Sequence, residues 1–81
     1  MVYATIYSMK KGIYRHYKNP DHKYRLLGVA KHSETLEDLV VYEALYENEL
    51  SQLWVRPLAM WEEEVFFDGQ KVKRFQFEKE G

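Results

Sequence analysis

The sequence predicts an all-β fold, a small SH3-like barrel of five or six strands that can include one short 3₁₀ turn. Short segments rich in Tyr, Val, Leu, Trp and Phe, the residues that strands prefer, lie between turn residues. The chain has 81 residues, of which 16% are aromatic, so one domain can build its core from a few large side chains. Closing the sheet into a barrel hides edges that would otherwise pair with other chains.

The first two strands are predicted at residues 13–18 and 23–31. The first segment ends at Asn19 and Pro20, because proline cannot continue a central strand. The second segment is apolar on both faces, which favours a central place in the sheet. Gly28 within it permits the bend that a tight barrel needs.

Two further features are predicted in the second half of the chain. Residues 52–57 form a strand with Leu53 and Val55 facing inward and Trp54 and Arg56 facing the other way, and the 3₁₀ turn follows at residues 58–61. Asp68-Gly69, between segments 65–67 and 71–77, predicts a hairpin with a type I′ turn, because both central residues of that turn need a positive φ.

The middle of the chain has two interpretations. Leu36, Leu39 and Val40 have near-helical spacing, which allows a helix over residues 36–46. The β-branched and aromatic run at residues 39–42 favours instead a strand at about 39–46, preceded by a polar loop at 32–38. We expect the strand.

The expected domain organisation is an N-terminal extension at residues 1–11, a single β domain at 12–78 and a tail at 79–81. Residues 2–9 alternate apolar side chains with Tyr and Thr. This pattern predicts either an edge strand or a strand exchanged with a second subunit, so a dimer through residues 2–9 is one expectation.

Composition excludes several classes of protein. There is no cysteine, which excludes disulfides, thiolate zinc sites and cysteine nucleophiles and fits a cytoplasmic protein. The spacing of His16, His22 and His32 matches no compact metal motif, so neither metal nor cofactor is expected. No segment approaches the ~20 apolar residues of a membrane span, and no membrane association is expected.

Charge is distributed unevenly along the chain. Residues 1–32 carry seven Lys and Arg and one acid, whereas residues 33–81 carry five Lys and Arg and twelve acids. One interpretation is a nucleic-acid face, with side chains from the first half that contact phosphates and stack on bases. The favoured interpretation is that basic strands lie beside acidic strands and their charges pair. The residues of the nucleic-acid interpretation are Tyr14, Arg15, Tyr17, Lys23 and Arg25.

Four blocks of the sequence resemble a family of short bacterial proteins, the domain of unknown function 1653 family. The blocks are YRHYK at 14–18, LGVAKHSETLE at 27–37, VVYEALY at 40–46 and LWVRPLAMW at 53–61. The resemblance runs from residue 12 to about residue 75, and residues 1–11 extend beyond the usual family member. It implies a compact β domain. It implies no established activity and supplies no catalytic residue.

Three constellations are candidate ligand-binding sites. Arginine beside an aromatic face holds a carboxylate or phosphate, a polar loop after a strand binds through its side chains, and Trp beside Arg and Pro is typical of barrels that bind peptides. Each also has a structural interpretation: an ion pair, a loop that satisfies its own backbone, and core packing. The constellations are Arg15-His16-Tyr17, His32-Ser33-Glu34-Thr35, and Trp54 with Arg56.

The leading functional prediction is a non-catalytic binding module whose partner is a protein or peptide. The alternative is RNA or DNA binding through the basic first half. A third is a small hydrolase or lyase that uses His32 and Glu34, or His16. Catalysis is the weakest of these, because so short a barrel has little room for the usual pocket of ~300–1,000 Å³.

Overall fold

The computed structural model of the protein describes residues 9–81, so the predicted edge strand and dimer contact at residues 2–9 fall largely outside the described part. Within it, strands dominate and a single helical turn, α1, lies between two of them. The elements are β1 (Gly12–His16), β2 (Lys23–Lys31), β3 (Asp38–Ala44), β4 (Leu53–Pro57), α1 (Leu58–Trp61), β5 (Glu64–Phe67), β6 (Gln70–Lys73) and β7 (Phe75–Lys79).

Five strands form one antiparallel sheet in the order β4-β3-β2-β1-β7, and β5 and β6 form a separate hairpin. The all-β class is therefore confirmed. Among the described residues no ladder joins β4 to β7, so the sheet is open at its two edges and the predicted barrel closure is not seen. There are seven strands in this part of the chain because the predicted segment 71–77 divides at Arg74 into β6 and β7, which belong to different sheets.

The central strands follow the predicted pattern. β2 has the predicted bounds, and its register against β3 shifts between Leu26 and Gly28, where a bulge bends the sheet. Residues 38–44 form strand β3, so the strand interpretation of the middle of the chain is confirmed and the helix interpretation is wrong. Alternate residues Val40, Tyr42 and Ala44 face the core, as a pleated strand requires.

Local turn chemistry is also confirmed. Asp68 and Gly69 have φ values of 55° and 77°, as a type I′ turn between β5 and β6 requires. The helical turn expected after Pro57 is present as one turn of α-helix and not as a 3₁₀ turn, since the Glu62 N–H donates to the Leu58 carbonyl at 3.0 Å.

The predicted faces of β4 are wrong. Leu53 and Val55 are 57% and 59% exposed, whereas Trp54 and Arg56 are half-buried. The cause is the pairing with β3, in which Trp54 lies opposite Tyr42 and Arg56 opposite Val40. Cross-strand neighbours share a face, and Tyr42 and Val40 face the core.

The core lies between the five-stranded sheet and α1 and is mainly aromatic. Trp61 of α1 stacks on Phe75 of β7 with ring centroids 4.1 Å apart and an angle of 4° between the planes. The tyrosines contribute edge-on contacts, which aromatic pairs favour. The clustered core residues are Tyr14, Tyr24, Leu26, Val40, Tyr42, Ala44, Trp61 and Phe75.

Candidate functional site

Arg56 lies where the two edges of the open sheet approach each other. It projects from β4 at one edge, and its guanidinium carbon is 5.2 Å from the ring centroid of Phe75 on β7 at the other. The His16 ring also contacts Phe75, edge-on at 5.6 Å. Arg74 precedes Phe75 in the chain. We refer to His16, Arg56, Arg74 and Phe75 as the Arg56 cluster.

Among the described residues 9–81, the Arg56 guanidinium has no anionic partner. Its Nε atom is buried without a hydrogen-bond partner, and Arg56 forms no ion pair with any of residues 9–81. The first eight residues contain neither Asp nor Glu, so they hold no carboxylate side chain that could pair with it. A buried donor without a partner costs free energy, and an arginine in this state has unused capacity to bind an anion.

His16 adds a second donor to the cluster. The Lys18 backbone N–H donates to His16 Nδ1 at 3.2 Å, which in the neutral ring leaves the proton on Nε2. Burial lowers the pKa of His16, and the nearby charges of Arg74, Arg56, His22 and Lys18 lower it further. Four positively charged or ionisable basic groups therefore act on a ring whose pKa burial already lowers.

Arg74 is the neutralised cation of the cluster. Its Nε and Nη2 atoms donate to the same carboxylate oxygen of Glu63, at 3.2 and 2.8 Å. The backbone holds it in place, because the Tyr17 N–H donates to the Arg74 carbonyl at 2.9 Å and the Arg74 N–H donates to the Glu63 carbonyl at 2.9 Å. Arg74 therefore joins the sheet to the β5–β6 hairpin.

Partly exposed aromatic rings lie beside the cluster. The Tyr17 ring contacts both the His16 ring, at 4.9 Å, and the Phe67 ring of the hairpin, at 5.7 Å. Trp54 lies two residues from Arg56 on the same face of β4, packs against the core, and donates from its indole Nε1–H to the Ser51 carbonyl at 3.0 Å. These rings offer flat apolar surface next to an unpaired cation.

A second aromatic pair belongs to the same side of the core. The exposed His22 ring stacks on Tyr46 at 4.2 Å and 14°, and the Tyr46 hydroxyl lies 3.3 Å from that of Tyr24. Burial is the first cause that raises the pKa of Tyr24, followed by the hydrogen bond to Tyr46. The charge of Arg56 acts in the opposite direction on Tyr24, which places this pair within the electrostatic reach of the cluster.

The basic side chains of the first half have acidic partners. Arg15 and Lys23 both bind the Glu78 carboxylate, and Arg25 Nη1 lies 2.9 Å from Glu43 Oε1. The hydrogen bond from Lys23 is the largest of the causes that lower the pKa of Glu78. The uneven charge along the sequence is therefore balanced across neighbouring strands, as the favoured interpretation expected. This pairing argues against a nucleic-acid face at Arg15, Lys23 and Arg25.

The polar loop after β2 satisfies its own backbone. His32 Nδ1 accepts hydrogen bonds from the N–H groups of Glu34 and Thr35 at 3.1 and 3.2 Å, and Thr35 Oγ1 accepts one from the N–H of Glu37 at 3.2 Å. Ser33, Glu34 and Thr35 are exposed. Since His32 follows the end of β2 and His16 lies near its start, nine strand residues of about 3.3 Å rise each separate the two histidines.

Comparisons with known proteins agree on the family. A family model described as a protein of unknown function, DUF1653, matches residues 12–77. The chain belongs to the DUF1653 family. A crystal structure of a DUF1653 protein from Bordetella bronchiseptica is similar to it, with a TM-score of 0.81, 34% identity, and coverage of 90% of this chain and 91% of the other. No curated protein matches the chain significantly.

The DUF1653 domain brings together some of the residues predicted from its sequence and separates others. His16, Tyr17, Trp54 and Arg56 lie on or beside the Arg56 cluster. Arg15 pairs with Glu78 and is not part of the cluster. The four residues of the His32 loop lie apart from the cluster, beyond the far end of β2. The sequence reasoning missed Arg74 and Phe75, for which the sequence offers only a cation next to an aromatic residue inside the predicted segment 71–77.

Two negative findings concern the described part of the DUF1653 domain. Within residues 9–81 no group of three or more His, Asp or Glu side chains is placed to hold a metal ion. In the same part of the chain there is no helix with the length and apolar character that a membrane crossing needs.

Proposed function

We propose that this DUF1653 domain is a non-catalytic binding module that recognises a protein or peptide segment at the Arg56 cluster. The observation that carries the proposal is the half-buried Arg56 guanidinium, which lies over an aromatic ring with a buried Nε and no partner among the described residues. A buried polar group without a hydrogen-bond partner destabilises the fold. Such groups are expected at functional sites, where a bound ligand provides the missing partner.

The surroundings of Arg56 suit a polypeptide ligand. Arginine, tryptophan and tyrosine dominate the binding energy of protein interfaces, since each combines a large apolar area with a hydrogen-bonding end. Arg56 and Trp54 share one face of β4, and Tyr17 contacts the His16 ring of the cluster. The rings are half-buried, so their orientation is fixed before a ligand arrives and little conformational entropy is lost on binding.

The histidines support binding over catalysis. Nδ1 of His32 already accepts two backbone N–H groups, and Nδ1 of His16 accepts one. A general base needs a free ring nitrogen beside the reacting proton and a group that orients the ring for this task. The backbone bonds therefore occupy the Nδ1 acceptor of both rings. The absence of cysteine from the sequence supports a cytoplasmic site of action.

The test is to select peptides from a displayed random library and titrate the selected peptides into isotope-labelled protein. Chemical-shift changes are expected at the Trp54 indole N–H, at Arg56 and at Tyr17. The variant Trp54→Ala should weaken binding, whereas Arg15→Gln, on the oppositely placed charge pair, should leave it unchanged. Peptides whose shift changes map to Arg15 and Glu78, or whose affinity survives Trp54→Ala with Arg56→Gln, would overturn the proposal.

A further inference from the structure

Positive charge in the Arg56 cluster exceeds the negative charge available to it. His16 and Arg56 contact the Phe75 ring, Arg74 precedes Phe75 in the chain, and Glu63 pairs with Arg74 alone. His22 and Lys18 add positive charge close to the His16 ring. Elsewhere in the described chain, cations such as Arg25 and Lys73 are paired with carboxylates. The cluster therefore carries uncompensated positive charge in a domain whose net charge is only −1.

The unused donors in the cluster are those that oxyanions prefer. The guanidinium of Arg56 carries donors in a fixed planar fork, which matches the spacing of two carboxylate or phosphate oxygens. The Arg56 Nε–H is unpaired but buried, so the Nη groups are the Arg56 donors that an oxyanion reaches, and the Nε2–H of neutral His16 is the donor that the bond from Lys18 leaves free. A hydrogen bond between an ionised pair is about twice as strong as one between neutral groups.

We propose that the ligand group taken by the Arg56 cluster is an oxyanion, a carboxylate or a phosphate, bound by the Arg56 guanidinium and the His16 ring. The inference rests on the proposed function in that it names the part of the polypeptide ligand that the cluster recognises. An acidic or phosphorylated side chain would supply the oxyanion, and Tyr17 and Trp54 would contact the neighbouring apolar residues.

Binding of an oxyanion has a measurable consequence at His16. In the free protein, burial and the charges of Arg74, Arg56, His22 and Lys18 all oppose protonation of the ring. A bound anion favours the protonated form, so the pKa of His16 must rise when the site is filled. By linkage, the anion must bind more tightly as the pH falls through the titration range of His16.

The experiment uses sodium acetate and sodium phosphate as probes, with sodium chloride at equal ionic strength as the reference. Nuclear magnetic resonance follows the Arg56 Nε–H signal and the pKa of His16 in the wild-type protein. The expected result is a saturable shift at Arg56 and a higher His16 pKa with acetate or phosphate. The stronger of the two probes identifies the carboxylate or the phosphate as the preferred group. Shifts that sodium chloride reproduces, with an unchanged His16 pKa, would overturn the inference.

Variants locate the effect. Arg56→Gln removes the charge and should weaken anion binding about tenfold or more, since a hydrogen bond to a charged group is lost. Arg15→Gln is the matched control and should bind as the wild type does. If Arg56→Gln does not fold, Arg56→Lys replaces it, because lysine keeps the positive charge and lacks the planar pair of donors. If neither variant folds, the change in the His16 pKa of the wild-type protein decides whether the anion binds at the cluster. An Arg56→Gln variant that folds and binds either probe with unchanged affinity contradicts the inference.

The outcomes separate this inference from the proposed function. If selected peptides bind at the cluster irrespective of acidic residues while acetate and phosphate produce no specific shift, the binding module stands and the oxyanion inference fails. If the anions bind at Arg56 while peptides map elsewhere, the oxyanion site stands and peptide recognition fails.

Discussion

Replacing Arg56 by methionine should leave the domain as stable as the wild type or more stable. Methionine retains the apolar stem and removes the charge together with the buried Nε–H that has no partner. An unsatisfied buried donor costs about 1–3 kcal/mol. The contact of the guanidinium with Phe75, at 5.2 Å, returns about 0.5–2 kcal/mol. The two ranges leave a net change between a loss of about 1 kcal/mol and a gain of about 2.5 kcal/mol in the free energy of unfolding, centred on a small gain.

Urea denaturation followed by tryptophan fluorescence measures this change. With an m value of about 1 kcal/mol/M for a small domain, a gain of 1 kcal/mol raises the midpoint by about 1 M. Arg15→Met is the control, because Arg15 forms a surface ion pair with Glu78 and such pairs contribute little to stability, so its urea midpoint should change little. A loss above about 1 kcal/mol for Arg56→Met would show that Arg56 serves stability, and the reasoning would be refuted.

Three further predictions concern the core, a turn and a titration. Trp61→Ala should lose about 3–5 kcal/mol of a total of about 4–12 kcal/mol, so a folded thermal transition near that of the wild type would contradict the core described above. Gly69→Ala should lose about 1–2 kcal/mol from its positive φ alone, because no atom lies within 4 Å of an added Cβ; an unchanged urea midpoint would argue against the type I′ turn. Arg56→Gln should raise the pKa of His16, because one of the nearby positive charges is removed. The pKa should stay below its ordinary value, since burial is the first cause of the lowering, and a fall in the pKa of His16 would contradict these assigned causes.

The lowered pKa of His16 also predicts how stability depends on pH. The folded state disfavours protonation of the ring, so the unfolded state binds the proton first as the pH falls below about 6.5. The contribution of His16 to stability is complete above this pH and is lost as the pH falls through the lowered, folded-state value. In His16→Gln, this part of the acid destabilisation should be absent, which urea midpoints across that range would measure.

Local rules in the sequence predicted the parts of the fold that depend on neighbouring residues. Asp68-Gly69 fixed its hairpin because few residues adopt two consecutive positive φ values. Segment 23–31 was a strand with its predicted bounds. Segment 71–77 forms two strands and not one, because Arg74 between them binds Glu63, which precedes the hairpin. A contact between residues so far apart in the chain leaves no local pattern in the sequence.

Features set by contacts between distant segments were not predictable in the same way. The inward faces of β4 were inverted because hydrophobicity favoured Leu53 and Val55, whereas the register with β3 turns Trp54 and Arg56 toward the core. His16 and Arg56 were both candidates, but in separate constellations. The register of β1 against β7 places His16 opposite Phe75, and the approach of β4 to β7 brings Arg56 to the same ring.

A double-mutant cycle between Arg56 and an acidic residue of a selected peptide tests the central claim most directly. Wild-type protein and Arg56→Gln are each titrated with the peptide and with its amide analogue, in which the carboxylate is neutral. A direct charge pair predicts a coupling free energy of about 1.5 kcal/mol or more. Additive losses, with a coupling close to zero, would show that Arg56 does not meet the oxyanion and would contradict the account of the site.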